Sequence, residues 1–148
     1  MAKAEWCLLV LASCVLGALG APAGQDPIAF KNATWEKCKK QENVPDAAMK
    51  DLYFFKTVDG IKDHKCVMKC IDEEYGIYTK DGTISKEMIE QAIKGIFEEP
   101  ELQKKLISKG IECVDTVKKS SDPCQYNVDL FDCFIKAAKK EGLNFEPE

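Results

Sequence analysis

Eight cysteines and one histidine are the residues of this 148-residue chain best suited to covalent or metal chemistry. Cys7 and Cys14 lie close to the N-terminus. The other six run Cys38-x27-Cys66-x3-Cys70-x42-Cys113-x10-Cys124-x8-Cys133. Zinc sites draw on C-x2-C knuckles and histidine nitrogens. No such knuckle occurs, and His64 is the lone histidine, so zinc fits poorly. An even number of cysteines in a small exported chain instead implies a disulfide framework. Spacing alone leaves the pairing open. It does say that Cys66 and Cys70, at i and i+4, share one face of a helix. A bond between them would strain that helix, so each is expected to reach a different neighbour. Cys124 and Cys133 bracket two helical turns and should also bond outward.

Catalytic readings fail on residue type. A secreted phospholipase needs His-Asp within a Cys-Cys-x-x-His-Asp run and a Gly-rich calcium loop, but His64 is followed by Lys65 and has no adjacent cysteines. Setting Gly82 at the sixth position of a calcium-binding loop puts Ile77, Thr79 and Met88 where oxygen ligands belong, so Asp81-Gly82-Thr83 reads as a turn. No Gly-x-Ser-x-Gly elbow, phosphate loop or His-Glu-x-x-His is present. The chain is therefore read as a non-enzyme without cofactor or metal. Asn32-Ala33-Thr34 is a candidate glycosylation sequon at Asn32.

The export reading comes from residues 1–20. Lys3 precedes an apolar run from Trp6 to Leu19, which ends in small residues suited to cleavage after Gly20, with Ala23 as the second choice. Glu5 is unusual in such a leader. Leu11-Ala12-Ser13-Cys14 resembles a lipoprotein box, yet the apolar run continues past Cys14, where such a box should close it. The run is short for a membrane span. Residues 21–148 are then expected to form a single secreted, extracellular domain, not inserted in a membrane.

All 21 cations are lysine and the net charge is −4, which argues against nucleic acid. With 45% apolar and 31% charged residues the chain should fold. Apolar periodicity is helical throughout. One stripe carries Met88, Ile89, Ala92, Ile93, Ile96 and Phe97 behind an N-cap at Ser85. A second follows Pro100, through Leu102, Leu106, Ile107, Ile111, Val114 and Val117. A third follows a capping box, Asp122 with Gln125, and carries Tyr126, Leu130, Phe131, Phe134, Ile135 and Ala138, ending near Gly142. Upstream, one helix lies between residues 26 and 43. Pro45-Asp46 opens another, carrying Met49, Leu52, Tyr53 and Phe55, and Asp63 caps a third from His64 to about Tyr75, stopped by Gly76. That makes six helices.

These six mature cysteines, with the x3 and x8 intervals, resemble the signature of insect odorant-binding proteins, the pheromone/general odorant-binding family. So do Lys65-Cys66-Val67-Met68-Lys69-Cys70-Ile71, Tyr75-Gly76 and Asp81-Gly82-Thr83-Ile84. The resemblance implies an all-α fold of about six helices enclosing an apolar cavity, stapled by three interlocked disulfides, Cys38–Cys70, Cys66–Cys124 and Cys113–Cys133. It implies a carrier of small hydrophobic ligands such as odorants or pheromones. Delivery to a membrane receptor and a monomer or weak homodimer are expected with it.

Expected cavity residues are Phe54, Phe55, Met68, Met88, Ile93, Phe97, Ile111, Val114, Tyr126, Leu130, Phe131 and Phe134, with Tyr126 orienting a polar head. Most apolar positions in such stripes are ordinary helix core. The tail after Gly142 could act as a lid with Leu143 and Phe145 as plugs, loosened when carboxylates or His64 take up protons. Two rivals stand beside the carrier: a salivary or haemolymph scavenger of biogenic amines or lipids, and a cavity-free, disulfide-stapled interaction protein.

Overall fold

Caps and prolines start the later helices where the sequence supplies them. The computed structural model describes residues 27–143. The leader with both cleavage points, and Phe145 of the tail, lie outside the described residues. Six helices follow one another: α1 (Pro27–Gln41), α2 (Asp46–Tyr53), α3 (Cys66–Glu74), α4 (Lys86–Ile96), α5 (Pro100–Thr116) and α6 (Pro123–Lys140). A 3-10 turn at Asp59–Ile61 separates α2 from α3. The only strand-like pairing among the described residues is an isolated bridge between Tyr78 and Ile84.

Ser85 Oγ accepts the Met88 N–H at 3.2 Å and starts α4. At α5, Pro100 follows Glu99, whose carboxylate accepts the Leu102 N–H at 3.1 Å. The Asp122 carboxylate accepts the N–H groups of Cys124 and Gln125 at 2.9 and 3.4 Å. The capping box expected there is only half made. The Gln125 amide donates to Asp129 at 2.7 Å instead, and the Asp122 N–H goes to Ser120 Oγ at 3.1 Å. Asp63 likewise does not cap α3, which begins after Lys65 with no side-chain cap. The chain at Asp63 is still in the turn that follows Asp59–Ile61, where the His64 N–H donates to the Ile61 carbonyl at 2.8 Å.

Four segments end in the same way. Gly76 and Gly142 close α3 and α6 with φ of 72°, and Asn43 follows α1 at 52°. In each case the next residue donates back five positions, as Ile77 does to Asp72, Leu143 to Ala138 and Val44 to Lys39. The fourth is Phe55, at φ 53°, with Lys56 donating to the Asp51 carbonyl at 2.8 Å. Phe55 therefore lies beyond the end of α2, contrary to the helical stripe that included it. A phenylalanine replaces the glycine usual at this position, at a conformational cost of about 1–2 kcal/mol.

Three disulfides join α1 to α3 (Cys38–Cys70), α3 to α6 (Cys66–Cys124) and α5 to α6 (Cys113–Cys133). Helix packing follows the same order, α3 against α1 and α6, and α5 against α6 and α4. Helix α4 carries none of these bridges and is held by packing, by the Lys86–Asp115 ion pair and by the Gln103 amide donating to the Phe97 carbonyl. The buried residues form two cores. One gathers Trp35, Leu52, Ile61, Val67, Met68, Ile71, Tyr75 and Ile135, and the other Ile93, Leu106 and Ala138.

The start of α6 carries a pH dependence. Asp122 pairs with Lys65 Nζ while capping the helix, and this pairing holds its carboxyl below the usual carboxylate range. A depressed carboxylate contributes stability above its unfolded value, and the contribution is lost as pH falls through the folded value. In acid titrations followed by urea unfolding, Asp122→Asn should lose less stability than the wild type. Parallel acid profiles would remove the pairing from the account.

Candidate functional site

Between the two cores lies an apolar cavity of about 120 Å³. Lys31 and Trp35 of α1 close one side, with Met68, Ile71 and Asp72 of α3 and Tyr75 just past its end beside them. Ile89, Ala92, Ile93 and Ile96 of α4 form the facing wall, continued by Phe97. Leu130, Phe131 and Phe134 of α6 and Val114 of α5 supply the floor, and Phe55 projects in from the turn after α2. Gly110 of α5 lets the helices close up, since a Cβ there would stand 3.0 Å from Ile89 Cγ2.

Aromatic rings organise one end. Phe55 stands 5.5 Å from Phe131, 5.7 Å from Phe134 and 6.1 Å from Phe97 between ring centroids. Such spacings suit tilted and edge contacts. At the other end Trp35 Nε1 donates to the Tyr75 hydroxyl at 2.6 Å. Burial pushes the Tyr75 phenol above its usual range, and the Trp35 bond only partly offsets this.

Of the twelve residues expected at the cavity, eight stand in its lining: Phe55, Met68, Ile93, Phe97, Val114, Leu130, Phe131 and Phe134. Four stand elsewhere. Phe54 turns to a surface hollow between α1 and α2, with its ring 5.3 Å from Tyr53. Met88 reaches Gly76, Ile111 is part-buried on α5, and Tyr126 is buried on α6 outside the lining. His64 is also outside it, with Nδ1 donating to the Glu42 carbonyl at 2.9 Å. Asn32 is exposed on α1, and Tyr53 donates to its side-chain oxygen at 3.4 Å, while Thr34 of the same sequon is only 3% exposed. Leu143 packs against the second core beside Phe97 and Phe134.

The sequence reading missed Lys31, Trp35, Asp72 and Tyr75. One signal was there. Met68, Asp72 and Tyr75 stand at i, i+4 and i+7, which places a carboxyl on an apolar helix face. That carboxyl receives no hydrogen bond from a side chain and makes no ion pair among the described residues. Burial first, and Glu73 second, push its pKa up to about 8. A raised carboxyl in the native state keeps its proton after the unfolded chain has lost it. Stability is then lost as pH rises from the ordinary carboxylate range towards that value. Asp72→Asn is expected to be more stable than the wild type near neutral pH, and to lack this decline in urea unfolding between about pH 5 and 8. Equal stabilities at both ends of that range would refute it.

Among the described residues, no cluster of side chains could hold a metal ion, and no helix is long and apolar enough to cross a membrane. Residues 31–137 match the PBP/GOBP family. General odorant-binding protein 1 of Bombyx mori is 22% identical over 111 residues, 73% of this chain and 68% of that one. The crystal structure of pheromone binding protein 3 of Epiphyas postvittana matches with a TM-score of 0.62 at 24% identity, covering 78% of this chain and 99% of that one.

Proposed function

Because the chain belongs to the PBP/GOBP family, we propose that it is a secreted, non-enzymatic carrier that shelters small hydrophobic molecules, odorants or pheromones, in the cavity between its helices. The apolar cavity carries this reading. An apolar hollow of about 120 Å³ leaves the side chains lining it without packing partners on one side. A fold under no other demand would fill it. The disulfides offset that loss, and an alkyl or aromatic guest recovers it at ~0.8 kcal/mol per buried CH2. Roughly ten such groups, less the cost of association, allow affinity near micromolar, about −8 kcal/mol. Such strength allows both uptake and release.

The cavity also disfavours the solid-cored interaction protein. Leu143, beside Phe97 and Phe134, supports a lid formed by the tail. The test is displacement of a hydrophobic fluorescent probe from the purified, oxidised chain by a panel of alcohols, aldehydes and terpenes. Saturable displacement is expected. A probe that never binds would end the carrier reading. Deleting residues 143–148 should loosen the bound probe, and unchanged affinity would reject the lid.

A further inference from the structure

Lys31 is 8% exposed, and it is the single cation in the cavity lining. Its ammonium stands 3.9 Å from the centroid of the Tyr53 ring and 5.9 Å from that of Trp35. No carboxylate or hydrogen-bond acceptor of the described residues reaches it. A buried ammonium without an anion is costly to keep. Its two aromatic neighbours supply partial compensation through their π faces. Across the same lining stands Asp72, whose carboxyl also has no side-chain partner. Of the remaining polar handles of the lining, Trp35 Nε1 is satisfied by the Tyr75 hydroxyl oxygen, and the Tyr75 O–H keeps its own hydrogen to donate.

Resting on the carrier reading, we propose that the cavity selects apolar ligands with a carboxylate head, which Lys31 binds while the hydrocarbon tail lies against the Phe55–Phe131–Phe134 rings. The missing counter-ion of Lys31 and the apolar wall opposite it describe one molecule, an aliphatic acid. Asp72 does not oppose it. Near neutral pH its carboxyl is mostly protonated, so it adds no negative charge to the lining.

The groups facing the Lys31 ammonium are the rings of Trp35 on α1 and Tyr53 on α2, and, across the cavity, Asp72 on α3 and Tyr75 just past its end. Desolvation lowers Lys31 to about 8. Raising the pH past that value therefore removes the cation and ionises Asp72 together. Both changes oppose an anion, and both favour an amine.

The experiment compares octanoate, octanol and octylamine as competitors for a bound hydrophobic probe, using the oxidised wild-type chain and Lys31→Met. Near pH 7, octanoate is expected to bind about tenfold or more tighter than octanol, the range of one charge-assisted hydrogen bond. Lys31→Met should abolish that advantage and leave octanol within about twofold. The wild type alone supplies a second arm, independent of whether the variant folds. Octanoate should weaken between about pH 7 and 9, octylamine should strengthen, and octanol should not change. Octanol that binds as well as octanoate, or octanoate affinity that is flat across this range, overturns the anion site and leaves the carrier standing. Failure of all three to displace the probe overturns both.

Discussion

Replacing Cys66 and Cys124 together by alanine is expected to lower the unfolding free energy by about 4 kcal/mol, because this bridge closes the longest loop of the three. Its partners are 58 residues apart, against 32 for Cys38–Cys70 and 20 for Cys113–Cys133. In the chain-entropy picture the shortest bridge contributes about 3 kcal/mol. The Cys66–Cys124 bond also ties α3 to α6, the pair of helices that supply Met68 and Phe131 to opposite parts of the lining. Its loss should therefore weaken probe binding as well as stability. The loops of Cys38–Cys70 and Cys66–Cys124 overlap over residues 66–70, so the double loss should be non-additive. Urea unfolding of the Cys66/Cys124 and Cys113/Cys133 variants measures the order. A Cys113/Cys133 variant that proves the less stable of the two would contradict the loop-length account.

Phe55→Ala is expected to cost about 2–3 kcal/mol of stability, below the full range for a buried phenylalanine because its ring is only part-buried. It removes a ring that touches Phe97, Phe131 and Phe134 at once. It should weaken binding of an apolar probe about tenfold, since that ring forms part of the wall. Phe55→Gly separates the ring from the backbone. Both variants lose the ring, but only glycine adopts φ 53° without strain. The glycine variant should therefore be about 1 kcal/mol more stable than the alanine variant, the reverse of the usual order. An alanine variant at least as stable as the glycine one would mean that the turn after α2 carries no strain. The left-handed turn aims the Phe55 ring at Phe97, Phe131 and Phe134.

Local signals in the sequence determined most of the helical frame. Ser85, Pro100 and Asp122 mark the starts of α4, α5 and α6, because their groups satisfy amide N–H donors or remove one within a few residues of chain. Gly76 and Gly142 mark the ends of α3 and α6 for an equally local reason, the freedom of glycine at positive φ. The i and i+4 placement of Cys66 and Cys70 already argued against a bond between them, and the structure sends one to α6 and the other to α1.

What only the tertiary structure decided is which atoms are left facing empty space. Met88 and Ile93 lie on one apolar stripe of α4, yet Ile93 stands in the cavity lining while Met88 packs against Gly76. Periodicity identifies a buried face but not what lies opposite it, and that depends on how α1, α3, α4 and α6 cross. For the same reason Lys31 was invisible. A lysine on a helix ordinarily reaches water, and here Trp35, Tyr53 and α3 surround it from elements four to forty-four residues away along the chain. Burial is a property of neighbours brought together by folding, so the chemical character of the cavity's polar end could not be read from any local stretch of sequence.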